Sequence, residues 1–435
     1  MSSTGTYAPG AGLAARIPGN ALVAAVILGF FTLAAIMSAA RKDITQGFDE
    51  VAHASYVAHI QHTGDAWPDL RDMRLLDPQT FQFTGEVNYL NHPAKYYALL
   101  ALLGPTLEGR PQALFVHRLI NIVIVTLGLA ALLGLGLAAG FSREDYYAFA
   151  IPLACIPVLA PLAGAVNNDN LAFCGGAFAL LGAWGLIATG RESWLALALC
   201  GVVVASWAKL TALLLVVPML GGVVAYLMWR KRLAFGWTVA SALAVLLAAL
   251  PYLEFVVSYG SPTPQTPAQV ALIADGARAA GWTDLPRMSF VGYAAFFVMA
   301  FVRDWMPTLG ARSTLNYAML AIPVAALICT VLGIVLSLRR LMRGQETALD
   351  VIILSGSAAI AATFTVHVVY SYGRYAVTGW LMDAYPRYYL PLAAIVPLAC
   401  LSLAGSIETP RWRNALLAFF VTGPVLFRLL GAPLG

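Results

Sequence analysis

Apolar runs of membrane-spanning length recur along the chain. They fall at about 20–40, 113–139, 146–162, 170–189, 193–208, 210–228, 234–257, 316–337, 349–370, 388–405 and 414–430. The first is about 21 residues, or roughly 31 Å of helix, which crosses a bilayer core. The pattern predicts an all-α polytopic membrane protein with about eleven transmembrane helices in a single domain covering 1–435. Polar segments at 41–112, 163–169, 258–315 and 371–387 interrupt it. Within the third, "MSFVGYAAFFVMAFVRDW" is apolar again. The run from 316 must end at the basic "RRLMR", so it must start on the opposite face. Residues 290–302 are therefore read as an interfacial helix rather than a further span. No internal repeat is visible, and so no inverted-repeat sign of a secondary transporter.

Charge sets the orientation. Arg143, Arg191, "WRKR" at 229–232, "RRLMR" at 339–343 and "RWR" at 411–413 share one side if the N-terminus is cytoplasmic. Arg41 and Lys42 go against the rule, but five loops outweigh one. The C-terminus and all four polar segments are then expected on the outer face of the inner (plasma) membrane.

Composition supports the class. Of 435 residues, 60% are hydrophobic and 11% charged, with a mean hydropathy of +0.77. Soluble domains carry roughly 25% charged residues. The net charge of +5 is accounted for by loop anchors and gives no reason to expect a nucleic-acid partner. The first 19 residues hold a single charge, Arg16, and read as a polar leader before a retained first span. Cys155, Cys174, Cys200, Cys329 and Cys400 lie in apolar runs without CxxC or Cys/His spacing, and read as inert thiols.

Four polar clusters could carry chemistry. In "QGFDEVAHASYVAH" (46–59), Asp49, His53 and Tyr56 fall at i, i+4 and i+7 of a helix, and Glu50 meets His53 at i+3. A solvated loop fits this cluster as well as a site does. In "NYLNHPAKYYALLALLGP" (88–105), Pro93 places Asn91 and His92 in a turn ahead of a helix from Lys95. Lys95 suits either a phosphate or an interfacial anchor. In "AVNNDNLAF" (165–173), Asn168 or Asp169 could cap the next helix, or Asp169 could be an acid held at the membrane surface. In "DAYPRYYLPLAAIVPL" (383–398), Arg387 opens a span, as a bidentate phosphate partner or as part of an aromatic belt. Under one topology all four share a face. Two acids, a lysine and an arginine at a lipid interface are what a lipid-phosphate substrate requires.

The order of "FDEVAHASYVAH", "NHPAKYYALLALL", "VNNDNLAF" and "YPRYYLP" resembles the GT-C superfamily of membrane glycosyltransferases, which includes protein O-mannosyltransferases and bacterial aminoarabinose transferases. The resemblance covers about 20–210 well and the rest loosely. It implies a GT-C-like core with helical loops on the outer face. It makes Asp49 the catalytic base, Glu50 a group orienting the acceptor or an ion, and Asp169 the second acid. Arg387 would hold the lipid-linked phosphate, helped by Lys95, with His92, Tyr96 and Tyr388 completing the substrate site. Ala94 and Lys95 stand where the family has Pro and Leu, which leaves the Lys95 role open. The chain is expected to end at its last span, without the soluble outer domain of many relatives.

The donor expected from this likeness is a sugar on a polyprenyl phosphate. The acceptor is a hydroxyl of a lipid, glycan or protein, attacked in one inverting displacement. A divalent cation among Asp49, Glu50, His53 and Asp169 is an open alternative to phosphate neutralisation by Arg and Lys alone. Two rival classes stay open: a transporter or lipid flippase, and a membrane scaffold. The first would place ionisable groups inside spans. Lys209 and Glu254 come nearest to that.

Overall fold

The computed structural model describes residues 13–304, 317–381 and 384–431. Helices α1 (Leu13–Arg41), α2 (Glu50–Thr63), α3 (Lys95–Leu103), α4 (Ala113–Ala138), α5 (Arg143–Ala154) and α6 (Leu159–Ala163) form the first half. Next come α7 (Asp169–Thr189), α8 (Glu192–Ala208), α9 (Leu210–Trp229), α10 (Phe235–Tyr259), α11 (Pro267–Ala279) and α12 (Phe290–Asp304). The chain finishes with α13 (Tyr317–Met342), α14 (Ala348–Thr378), a 3-10 segment (Pro386–Leu392), α15 (Ile395–Ala404) and α16 (Pro410–Gly431).

It is an all-α polytopic membrane protein. Among the described residues seven helices are long and apolar enough to cross a membrane, or up to eight if the 3-10 segment and α15 form one span bent by 66°. All eleven apolar runs are helical, but several are broken or short. The run at 146–162 divides into α5 and α6 around Pro157, and α8 has 17 residues. The bulk of the expected leader, 1–12, lies outside the described residues, and α1 already begins at Leu13.

Two polar segments differ from expectation. Residues 41–112 are not helical throughout: strands β1 (Arg74–Leu76) and β2 (Phe83–Val87) pair antiparallel with an irregularity between Arg74 and Leu76. Asp77 closes the hairpin by accepting the backbone N–H groups of Gln79 and Thr80. The Ser55 hydroxyl of α2 accepts the Leu76 N–H and ties the hairpin to the helix. The segment at 371–387 is largely helix, because α14 runs to Thr378 before Gly379 ends it at φ 80°. Asp383 lies outside the described residues. Helix α12, 15 residues and about 22 Å long, packs Tyr293 and Phe297 against Tyr375 and Phe364 of α14.

The bundle centre rests on small residues. A Cβ on Gly175 or Gly182 of α7 would meet the backbone of Ala205 or Ala198 in α8 at 2.4 Å, and one on Gly201 of α8 would meet Ala179 of α7. Close backbone approach of this kind drives helix association in lipid, where there is no water to expel. A Cβ on Gly176 would lie 2.3 Å from the Pro391 carbonyl oxygen. Glycine there lets the 3-10 segment lie directly on α7. Arg387 is thereby brought beside the start of α7, where Asp169 stands.

Candidate active site

Gly47, Phe48 and Asp49 have φ of 80°, 62° and 55°. Two non-glycine residues in succession in the left-handed region cost on the order of 1–3 kcal/mol each unless the surroundings impose them. Here they are imposed. Asn167 donates to the Phe48 carbonyl at 2.9 Å, and the Phe48 ring lies under Lys42 at 4.6 Å and Arg387 at 5.4 Å. The turn also corrects the expected helical stripe. Helix α2 starts at Glu50, so Asp49 precedes it and does not share a face with His53 and Tyr56.

The turn sends the adjacent carboxylates in different directions. The Glu50 side chain is fully buried. It accepts from Arg118 Nε at 2.8 Å and Nη2 at 2.7 Å, from Lys42 at 3.1 Å, and from the Val166 backbone N–H at 2.9 Å. Arg118 of α4 spends Nη1 on the Ala39 and Lys42 carbonyls. This network ties the end of α1 to α2, α4 and the turn before α7. Burial lowers the Lys42 pKa, and Glu50 opposes the shift. The Asp49 side chain, by contrast, is 51% exposed. Tyr89 donates to it at 3.4 Å, and Arg387 Nη2 stands 3.6 Å away.

Asp169 is the first residue of α7, where the helix dipole favours negative charge. The expected cap by Asn168 or Asp169 is replaced: Asn167 Oδ1 accepts the Asp169 N–H at 2.8 Å. Asn168 instead donates to the Ala208 carbonyl at 2.7 Å. That carbonyl is free because the chain breaks between α8 and α9 at Lys209, which is extended at φ −162°. Tyr252 similarly donates to the Ser206 carbonyl. A broken helix at membrane depth needs such donors, since lipid supplies none. The break presents Lys209 to Asp169 at 2.9 Å and over the Tyr388 ring at 3.5 Å. Arg387 Nε approaches Asp169 Oδ2 at 3.4 Å. Neither of those two buried atoms has a hydrogen-bond partner among the described residues. The guanidinium lies 5.2–5.7 Å from the Phe48, Tyr385 and Tyr388 rings.

Asp49, Asp169, Arg387 and Tyr388 are thus brought together, and Glu50 stands behind them in a closed network. Sequence reasoning missed Arg118 and Lys42 and set Lys209 aside as an exception. An ionisable group within apolar sequence is itself a functional signal; Arg118 carries it inside one run and Lys209 at the junction of two. Lys95 does not join the acids. It is exposed, with its ammonium 5.0 Å from the Trp67 ring and 5.7 Å from Trp207. Tyr96 is fully buried and spends its hydroxyl on Asn121 at 2.7 Å. His92 stacks on His53 at 5.9 Å.

The proposed cation site does not fit these residues. Both Glu50 oxygens are taken by the donors named above. His53 has Tyr97 on Nδ1 at 2.9 Å and Asn167 on Nε2 at 3.1 Å. Asp49 and Asp169 share Arg387. Among the described residues no group of three His, Cys, Asp or Glu could hold a metal ion.

An apolar cavity of about 110 Å³ lies between α5, α13, α15 and α16. Pro152, Leu153, Ile322, Ala326, Val396 and Phe420 line it, with Arg387 as its charged member.

No protein-family model and no curated protein matches the chain. Among solved structures the chain is similar to the crystal structure of ArnT from Cupriavidus metallidurans bound to undecaprenyl phosphate. The likeness covers 92% of this chain and 84% of that one, at 13% identity and a TM-score of 0.36. At that score it supports no assignment of fold or chemistry. Those rest on the helices and side chains above.

Proposed function

We propose that the protein is a membrane glycosyltransferase of GT-C type, taking its sugar from a polyprenyl-phosphate donor. The observation that carries this reading is the pairing of Asp49 and Asp169 across one guanidinium, Arg387, which also lines an apolar cavity. A lipid phosphate needs a cation at the edge of an apolar groove. A sugar transfer needs a carboxylate beside that cation. With the four polar segments outside, the site faces the outer side of the membrane.

The acceptor hydroxyl oxygen attacks the anomeric carbon, and its proton passes to the Asp49 carboxylate. The bond from the anomeric carbon to the phosphate oxygen breaks. The polyprenyl phosphate leaves with the electron pair, its charge met by Arg387 and Lys209. One displacement inverts the anomeric centre. Glu50 acts at one remove, fixing the turn that aims Asp49. The prenyl chain lies along the apolar cavity.

The test is mass spectrometry of membrane lipids and glycans with and without the protein, repeated with Asp49→Asn. The expected result is one glycan or lipid that loses a sugar in both deletion and variant. Full sugar transfer by Asp49→Asn would sink the reading.

A second reading, a lipid transporter, draws on the buried Lys209–Asp169 pair at a helix break. Movement of a labelled polyprenyl phosphate across proteoliposomes without covalent transfer would favour it.

A further inference from the structure

Resting on the reading of Arg387 as the donor-phosphate group, we propose that Arg387 is a latch on Asp49. The donor phosphate competes with Asp49 for the guanidinium. Asp49 is handed to the acceptor only once a donor has taken Arg387 from it.

Three observations carry this. The first is looseness. Arg387 meets Asp49 at 3.6 Å and Asp169 at 3.4 Å, whereas the ion pairs of Glu50 span 2.7–3.1 Å. Arg387 Nε and Asp169 Oδ2 are buried without hydrogen-bond partners. A mostly enclosed guanidinium with unused donor capacity gains from an incoming phosphate, which accepts in the same bidentate geometry as a carboxylate.

The second is asymmetry. Asp169 is 3% exposed and has a further cation, Lys209, hydrogen-bonded at 2.9 Å. It stays neutralised when Arg387 turns away. For Asp49, Arg387 is the one cation within ion-pair distance among the described residues. Its carboxylate is half-exposed and can be left in water at little cost. The contact that gives way is therefore the one to Asp49.

The third is the surrounding of the guanidinium. It is bordered by the rings of Phe48, Tyr385 and Tyr388. Ring faces stabilise the cation without fixing its N–H directions, so it can exchange one anion for another without leaving its slot.

The consequence is an ordered reaction in which the donor binds first. An acceptor hydroxyl or a water arriving early meets an Asp49 whose negative charge is still shared with Arg387 at 3.6 Å, and so is a weaker base.

The experiment measures binding of a polyprenyl monophosphate carrying no sugar to the full-length protein in nanodiscs. Wild type, Asp49→Asn, Arg387→Ala and the double variant are compared, with thermal melting as the control for folding. Asp49→Asn should bind the lipid phosphate roughly 2- to 5-fold more tightly, because a competitor for Arg387 is gone. Arg387→Ala should bind it at least tenfold more weakly. In the double variant the Asp49→Asn gain should vanish, which assigns it to Arg387 rather than to a general loss of negative charge.

Equal or weaker binding by Asp49→Asn, with wild type binding and Arg387→Ala impaired, would overturn the latch and leave the phosphate site standing. A gain that persists in the double variant would overturn it too. Wild type that does not bind, or binding indifferent to Arg387→Ala, would remove the phosphate site and the latch together. Should Asp49→Asn melt early, Asp49→Ser carries the same comparison.

Discussion

Asp49 and Glu50 are neighbours in the chain and opposites in the structure. Glu50 is fully buried and receives four donors at 2.7–3.1 Å. Asp49 is half-exposed, with one hydroxyl at 3.4 Å and one cation at 3.6 Å. A carboxylate in an apolar setting must be neutralised. When every lone pair is taken, the group is a fastener. When the partners are long and shared, capacity is left for a substrate. The two residues divide these roles because the left-handed turn at Gly47–Asp49 points one into the bundle and the other out of it.

The largest effect that tests this division is on folding. Glu50→Gln removes the charge that compensates Arg118 and Lys42, both enclosed. Breaking one partner of a buried pair costs about 3–5 kcal/mol. Glu50→Gln is expected to lose most folded protein in a detergent melting assay. Asp49→Asn should melt within about 1 kcal/mol of wild type, since exposed pairs contribute that much or less. If Glu50→Gln melts like wild type and only transfer is lost, the roles are not divided as stated.

Next in size is Arg387→Ala. Loss of a group that meets developing charge costs on the order of 10²–10³ in rate. Sugar transfer in a reconstituted assay should fall by that factor, while Lys209 keeps Asp169 paired and the protein folded. A fall in melting temperature matching that of Glu50→Gln would move Arg387 into the fastening network.

The sequence alone shows why one half of the comparison was legible and the other was not. Alternation of apolar runs and polar segments marks the helices, because lipid imposes that pattern on every span. Asp169 and Arg387 were visible because each is a charge immediately before an apolar run, and Asp49 because it stands in the polar segment that follows the first run. Glu50 could not be told from Asp49, since a left-handed turn leaves little trace beyond Gly47. Arg118 stands inside a run and Lys209 between two adjoining ones, where topology reading tends to treat them as blemishes. Their partners are 68 and 40 positions away, and only packing brings them together. The hairpin at 74–87 escaped because its strands are three and five residues long, too short for a period-2 pattern.

A smaller effect comes from pH. Desolvation, reinforced by Lys209 and Arg387 and opposed by Asp169, pushes the His92 imidazole from 6.5 to about 3. Burial first, then His92 and the nearby cations, drives His53 down as well. The unfolded chain therefore binds more protons than the folded one below pH 6.5. The stability these two rings contribute is present above that value and is lost progressively as pH falls toward their folded-state values. Melting temperature should decline on acidification from pH 6.5, and His92→Gln should flatten the slope. A wild-type melting temperature that is flat or rising over that window would show that both rings are solvated.

The smallest expected effect concerns Lys95, the cation that sequence placed beside the phosphate. Its ammonium rests over Trp67 and Trp207 instead of against Asp49 or Asp169. An exposed cation–π contact contributes about 0.5–1 kcal/mol. Lys95→Ala should shift melting by no more than that and leave transfer within about threefold of wild type, a change of less than 1 kcal/mol in the barrier. Arg387→Ala in the same assay supplies the contrast. If Lys95→Ala instead costs a hundredfold, the donor phosphate reaches from the 3-10 segment to the start of α3. The working half of the site would then extend across both faces of the first loop, and Asp49 would lie in its middle rather than at its edge.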